Sequence, residues 1–225
     1  MPDIKLSQLQ KDVLSFFGQN KFGLNFYWTG GTLLSYFYLH HRDSVDLDFF
    51  SDDLFTDDEY LDFINKLKKR LSLEKITLTK QYNRRLYLIE GKQESIKLEL
   101  VFFPFPAIEE RLKINEFSFK VDSLSDIMVN KTLSTYQRNE VKDVFDLYCY
   151  LSDKPNYNLH QLIELVEKKF GVAIETALLF AKINELADNL DLLQPLLLSP
   201  QNNLSQKVKK FFQDCFNEFA KKELF

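Results

Sequence analysis

Apolar residues recur at two different periods along the chain, and the balance between them changes near residue 122. Leu6, Leu9, Val13, Phe16 and Phe17 fall three or four residues apart, the spacing of one helix face, and Gly18 follows them. Leu24 to Trp28 reads as a short strand, broken by Thr29-Gly30-Gly31-Thr32, and Leu33 to Leu39 suits a helix. Val45 to Phe50 alternates acid with apolar residue, the period of a strand with one buried face. Tyr60, Leu61, Ile64 and Leu67 mark a helix over 57–71, and residues 73–80, 84–90 and 95–103 read as three strands. A further strand is expected over Phe117 to Val121.

Beyond Val121 the helical period takes over. Ser123 is a suitable N-cap, and Val141 to Leu151, His160 to Phe170 and Ala173 to Leu190 follow as helices. Leu204, Val208, Phe211, Phe212, Cys215, Phe216 and Phe219 make a last apolar stripe, after a linker-like stretch from Gln194 to Asn203. The expected fold class is α+β: a mixed αβ domain over 1–122 and an all-helical domain over 123–225. No internal repeat interrupts this division.

Composition narrows the class. Hydrophobic residues make up 45% and charged residues 28% of 225 positions, the profile of a globular protein and not of a disordered chain. Phenylalanine occurs 22 times and glycine only 6 times, so a glycine pair carries more information than it would elsewhere. Cys149 and Cys215 lie at helical spacing among apolar residues, which favours buried free thiols over a disulfide. The first ten residues lack the apolar core of a signal peptide, and no apolar run approaches membrane-spanning length, so a cytoplasmic protein without a membrane partner is expected.

Charge is distributed unevenly around a net value of −4. Asp43 to Asp62 contains nine acids and no Lys or Arg, whereas Phe63 to Lys97 contains ten basic residues and three acids. Two solvated faces account for such segregation, and so does an electropositive wall beside an acidic site.

The candidate chemistry lies where these patterns meet. Gly30-Gly31 after a strand lets the backbone approach a ligand closely, and the following helix offers N–H groups suited to phosphate. On a strand, Asp46 and Asp48 share one face about 7 Å apart, with Val45, Leu47 and Phe49 turned to the core. Carboxylates so placed repel unless a cation binds them, and magnesium prefers such oxygen donors. Glu99, between Leu98 and Leu100, is a third acid on an apolar strand, with Lys97 on the same face as its alternative partner.

The stretch Trp28-Thr-Gly-Gly-Thr-Leu-Leu, then His41-Arg-Asp-Ser-Val-Asp-Leu-Asp-Phe-Phe, closely resembles the AbiEii/AbiGii type of abortive-infection nucleotidyltransferases, within the polymerase-β-like superfamily. A downstream block of Lys131, Arg138 and Lys142-Asp143-Val-Phe-Asp146-Leu147 continues the resemblance, which spans about residues 24–151. The third acid, usually aspartate in that family, is Glu99 here, and its extra methylene carries the carboxylate further out.

The resemblance implies roles. Gly30, Gly31 and Thr32 would cradle a nucleoside triphosphate, and Asp46, Asp48 and Glu99 would hold one or two Mg2+ ions. Lys131 and Arg138, two helical turns apart, would share a face toward phosphate, with Lys142 and Asp143 beside them; a solvated helix face is the alternative. Asp143 also suits the first turn of a helix, and Asp146 is a candidate base for an incoming hydroxyl. Arg42 and Ser44 would brace the loop before Val45. The implied activity is nucleotide transfer to a hydroxyl by a growth-arresting toxin, with an antitoxin protein as partner. A tRNA 3′ end, a protein side chain and a small molecule remain open as acceptors, and the basic residues favour RNA. Rival readings are a small-molecule, antibiotic-type nucleotidyltransferase and an inactive nucleotide- or protein-binding module.

Overall fold

The computed structural model describes residues 4–153 and 156–223. The chain divides into two compact units, Met1–Ser123 and Leu124–Phe225.

The first unit is a sheet with helices. It contains α1 (Gln8–Gln19), β1 (Tyr27–Thr29), α2 (Gly30–Leu33, continuing in π-helical form through Leu34–Leu39), β2 (Leu47–Ser51) and α3 (Asp57–Arg70). Then come β3 (Lys75–Gln81), β4 (Arg84–Glu90), β5 (Ser95–Phe102), β6 (Leu112–Ile114) and β7 (Phe119–Val121). The seven strands lie in the order β3-β4-β5-β2-β1-β7-β6. The β2–β5 and β1–β7 pairs are parallel and the others antiparallel.

Alternation along the strands gives the sheet two unlike faces. Trp28, Leu47, Phe49, Leu98, Leu100 and Val121 are all buried and form the apolar face. Val13, Leu14 and Phe17 of α1 and Tyr60, Phe63 and Leu67 of α3 are buried with them. The Phe17 ring stacks on Phe49 with centroids 3.8 Å apart and meets Phe63 edge-on at 4.7 Å. Phe16 and Phe22 also reach Phe63, both at 5.1 Å. Much of the phenylalanine excess is therefore spent on one aromatic core, where each ring contributes area burial plus about 0.5–1.5 kcal/mol per favourable pair.

Both α1 and α3 start with reciprocal caps. Ser7 accepts from Gln10 N while the Gln10 side chain accepts from Ser7 N, and Thr56 and Glu59 do the same for α3. Three acids in the first turn of α3 and three bases in its last turn match the helix dipole.

The second unit is helical throughout: α4 (Leu124–Gln137), α5 (Val141–Ser152), α6 (Leu159–Phe170), α7 (Thr176–Ala187), a 3₁₀ segment Leu190–Leu196 and α8 (Leu204–Glu223). Its core includes Ile127, Met128, Phe145, Leu162, Val166, Ile183, Val208 and Phe212. Lys169 of α6 is buried and donates to Asp126 of α4 at 2.6 Å, an ion pair with no signal in the apolar pattern. Among the described residues no helix is long and apolar enough to cross a membrane.

The expected α+β class matches the architecture, and the element differences are local. Gly23–Asn25 is a 3₁₀ turn, so the first strand starts at Tyr27 and not at Leu24. Strand β6 has only three residues and was not expected from the pattern. The cysteines are free but half-buried, and burial pushes the Cys215 thiol up to about 11. Val45 is 60% exposed and precedes β2, because this segment spends its carbonyls on side chains instead of a ladder. The Gln10 amide donates to Ser44 O and Val45 O, both at 3.2 Å.

Phe17 touches β2 and α3 at once. Replacing Phe17 with Ala is expected to cost about 3–5 kcal/mol of unfolding free energy, read by denaturant titration. A loss below about 1 kcal/mol would contradict the stacked aromatic core.

Candidate active site

The opposite face of the sheet carries the polar residues. Thr29, the last residue of β1, is extended, and Gly30 turns the chain into α2 with φ +80°. A side chain at Gly30 is disallowed for two reasons. The left-handed backbone is one. The other is that a Cβ would lie 1.9 Å from Asp48 Oδ2. The Asp48 carboxylate thus rests on bare backbone at the start of α2.

The second glycine is packed by the loop that precedes β2. A Cβ on Gly31 would meet Arg42 Nη2 at 3.0 Å and Ser44 Oγ at 3.3 Å. Arg42 is buried and donates through Nη1 to Asp43 O at 3.1 Å. Thr32 Oγ1 bonds Ser44 Oγ at 2.9 Å and also donates to Asp46 O. The buried Thr32 hydroxyl therefore ties the loop to the turn, and what Thr32 has left for an anion is its backbone. Arg42 and Ser44 brace this loop as their motif positions suggested.

Register aligns the acids. Thr29 stands opposite Asp48, and Asp48 stands opposite Glu99 on the parallel strand β5. Adjacent strands lie about 4.8 Å apart, so the two carboxylates start from neighbouring backbones on one face. Asp46 lies one residue before β2, half-buried, and is not part of the ladder with Asp48. Glu99 pairs with Arg84 of β4, Nε to Oε1 at 3.1 Å, and not with Lys97. Arg84 enters β4 one same-face step from Leu86, the residue opposite Glu99, and its side chain is long enough to cross the diagonal.

Sequence reasoning missed the other end of this row. Asp122 directly follows β7, is buried, and accepts from Thr29 Oγ1 at 2.8 Å. Tyr38 donates its hydroxyl to Asp122 O at 2.7 Å. Arg111 reaches Asp122 Oδ1 at 3.5 Å, binds both oxygens of Asp52, and lies 3.5 Å from the Tyr27 ring centroid. Burial, then the Asp122 charge, hold the Tyr27 hydroxyl well above its ordinary range. An acid at the end of an apolar strand was the available signal, but nothing in sequence tells that β7 lies beside β1.

The basic stretch is less available than its composition implies. Lys66 pairs with Asp62 at 2.6 Å, Lys80 and Arg85 both pair with Asp57 at 2.6 and 3.2 Å, and Arg84 is on Glu99. Three of the ten basic residues in 63–97 are thus bound to the acidic segment, and Arg84 to Glu99.

The second unit carries its own polar cluster. Lys131 of α4 reaches Asp143 Oδ1 at 2.7 Å and Asp146 Oδ2 at 2.8 Å, both on α5. Arg138, just past α4, donates through Nε to Asp143 Oδ2 at 2.7 Å and through Nη2 to Oδ1 at 3.1 Å. Asp143 and Asp146 are fully buried and Lys131 nearly so, whereas 47% of the Arg138 side chain remains exposed. Two acids and two bases balance in this network, so Lys131 is not part of a solvated helix face. Burial alone would raise the Asp143 carboxyl; Lys131 and Arg138 more than offset it, and it stays below the usual carboxylate range. Lys142 is half-buried on the same helix.

Among the described residues no three His, Cys, Asp or Glu side chains converge to cage an ion. Magnesium rarely needs such a cage: it commonly takes one or two carboxylates and completes its shell with water and substrate phosphates. Asp48 and Glu99 are hard oxygen donors on adjacent strands, and the missing Cβ at Gly30 leaves room beside Asp48. They suit an ion that arrives with a triphosphate.

A family model described as nucleotidyl transferase AbiEii toxin, type IV toxin–antitoxin system, matches residues 13–223. No curated relative matches the chain. Three solved structures share its fold. A candidate nucleotidyltransferase from Helicobacter pylori aligns at 17% identity with TM-score 0.64, covering 95% of this chain and 94% of the other. A second H. pylori protein aligns at 16% identity with TM-score 0.53, covering 97% and 100%. MenT4, a nucleotidyltransferase toxin from Mycobacterium tuberculosis, aligns at 15% identity with TM-score 0.58, covering 92% and 81%.

Gly30→Ala is expected to destabilise by more than about 1 kcal/mol, and by less in an Asp48→Ala background, where part of the clash is gone. Equal costs in both backgrounds would contradict the contact. Lys131→Met removes the cation shared by two buried carboxylates, leaving Asp143 to Arg138, and at neutral pH should cost about 3–5 kcal/mol. Because the folded Asp143 carboxyl lies below its unfolded value, its contribution is present above about pH 4 and is lost as pH falls through the folded value. The Lys131→Met penalty should therefore shrink on acidification, measured by urea unfolding across pH; a penalty independent of pH would contradict it.

Proposed function

From the premise that the chain belongs to the AbiEii nucleotidyltransferase toxin family, we propose that it is a magnesium-dependent enzyme that transfers a nucleotide from a nucleoside triphosphate to a hydroxyl of RNA, with tRNA the leading acceptor. Family membership makes it a nucleotidyltransferase toxin, with a nucleoside triphosphate substrate and an antitoxin partner. The observation that carries the metal reading is the Asp48 carboxylate resting on Gly30 with Glu99 in register beside it.

In the reaction, the acceptor oxygen attacks the α-phosphorus, the bond to the β-phosphate bridging oxygen breaks, and pyrophosphate leaves while the hydroxyl proton passes to a base. Asp48 and Glu99, with Asp46 from the neighbouring loop, would hold magnesium, which would lower the hydroxyl pKa and neutralise charge on the departing pyrophosphate. The Gly30-Gly31 turn admits the triphosphate to the backbone, and Thr32 and Arg42 keep that turn fixed against the Asp46 loop. Asp146 is fully buried against Lys131, so we assign it to holding Lys131 and not to proton transfer. Arg138, fixed by Asp143 yet half exposed, is the group of that cluster suited to phosphate, with Lys142 as the second cation.

The RNA acceptor is favoured by the basic residues gathered between Phe63 and Lys97, of which Arg84 stays half exposed while touching Glu99. The test is incubation with each labelled nucleotide, total RNA and total protein. Label is expected in RNA, and replacing both Asp46 and Asp48 with Asn should abolish it while leaving the fold intact or slightly more stable, since repulsion is removed. RNA affinity should fall with salt at a slope of about −0.7 to −0.9 per phosphate contact. Full activity in the double variant would remove the metal assignment. Label in protein or in a small molecule would remove the RNA acceptor and leave the transferase.

A further inference from the structure

Strands β3 and β4 are joined by two residues, Tyr82 and Asn83, with Gln81 opposite Arg84. Tyr82 has φ +46°, a conformation that two-residue hairpins usually give to Gly, Asn or Asp. A bulky side chain there carries a conformational cost, and packing does not offset it, because Tyr82 is fully exposed. The fold itself gains nothing from an aromatic ring at this position.

The hairpin is nevertheless held firmly. At its tip Asn83 Nδ2 donates to Phe102 O at 2.7 Å, and Phe102 N donates to Asn83 O at 3.0 Å. One pair below the turn, Lys80 and Arg85 both bind Asp57 of α3, and both lie over the Tyr60 ring, at 5.4 and 5.3 Å. Next to the tip, Arg84 crosses to Glu99 through Nε. Phe102 is three residues beyond Glu99, about 10 Å along the strand, so the tip that carries Tyr82 is tied to the same strand as Glu99.

We propose that Tyr82 and Arg84 form a contact site for a single-stranded stretch of the RNA acceptor, the Tyr82 ring stacking on a base and Arg84 meeting a backbone phosphate. Bases offer a flat π face to an exposed ring, and this recognition tolerates any sequence. Arg84 has five N–H donors, enough to keep Glu99 through Nε and engage phosphate with the rest. Gln81, Asn83 and Arg84, which flank Tyr82 along the chain, are all polar and exposed, which suits a nucleic acid better than a lipid surface. This inference rests on the RNA-acceptor reading above.

The test measures anisotropy of a short labelled single-stranded RNA, and of labelled total tRNA, on the full chain. Tyr82→Ala is expected to weaken binding about tenfold or more, and Tyr82→Phe, which keeps the ring, to restore it. Tyr82→Gly should raise the melting midpoint by relieving the backbone while losing RNA affinity to the same degree as Ala. Triphosphate affinity measured alongside should not follow these losses. Wild-type binding with Tyr82→Ala indistinguishable from it overturns this inference alone. A wild-type chain that binds neither RNA overturns the acceptor reading and this inference with it.

Discussion

The Asp48 carboxylate rests against the backbone of Gly30, where a Cβ would come within 1.9 Å of Oδ2, and the polar half of the αβ unit is organised around that contact. It requires a glycine in left-handed conformation at the β1–α2 turn. It requires a loop short enough to bring β2 back antiparallel beside β1, and the bonds from Gln10 and Thr32 to the 44–46 carbonyls hold that loop. It also needs Phe49 and Leu47 to anchor β2 from below, so that Asp48 can carry charge on the other side. Stability and chemistry are thereby divided between the two faces of one strand, by the two-residue period alone.

The charges follow the same division. Three acids around β2 are held by bases: Glu99 by Arg84, Asp57 by Lys80 and Arg85, and Asp52 by Arg111. Part of what composition presents as an acidic block beside a basic block is a set of internal pairs, each modest where it is exposed. The helical unit repeats the principle in a drier setting, where Lys131 sits between two fully buried carboxylates and Asp126 takes Lys169. Such networks are costly to break, which ties the residues of the Lys-Arg-Asp-Asp block to one another as a unit.

Legibility in the sequence depended on range. Short-period features were readable: the alternation at Leu47–Phe49, the Gly30-Gly31 break, the three strands after α3, and the helical stripes beyond residue 122. Glu99 stands out in the sequence as an acid between Leu98 and Leu100 on an apolar strand, and the register sets it opposite Asp48. What could not be read was lateral. The parallel placement of β5 beside β2, and of β7 beside β1, decides that Glu99 faces Asp48 and that Thr29 meets Asp122. The partner of Glu99 likewise comes from the neighbouring strand, two residues off in register, and not from Lys97 on its own. Parity with Asp48 predicts Asp46 as a strand residue; the bond that holds its carbonyl in a loop comes from Thr32, fourteen residues away.

The most direct measurement is the melting midpoint of the chain with magnesium, with a non-hydrolysable nucleoside triphosphate, and with both together. Ligand binding to the folded state stabilises by RT ln(1 + [L]/Kd), about 2.7 kcal/mol at a hundredfold excess over Kd. If Asp48 and Glu99 complete an ion shell only with substrate phosphates, the two ligands together should stabilise by more than the sum of each alone, and Asp48→Asn should remove the excess. Additive shifts in the wild type, or the same excess in Asp48→Asn, would contradict the account.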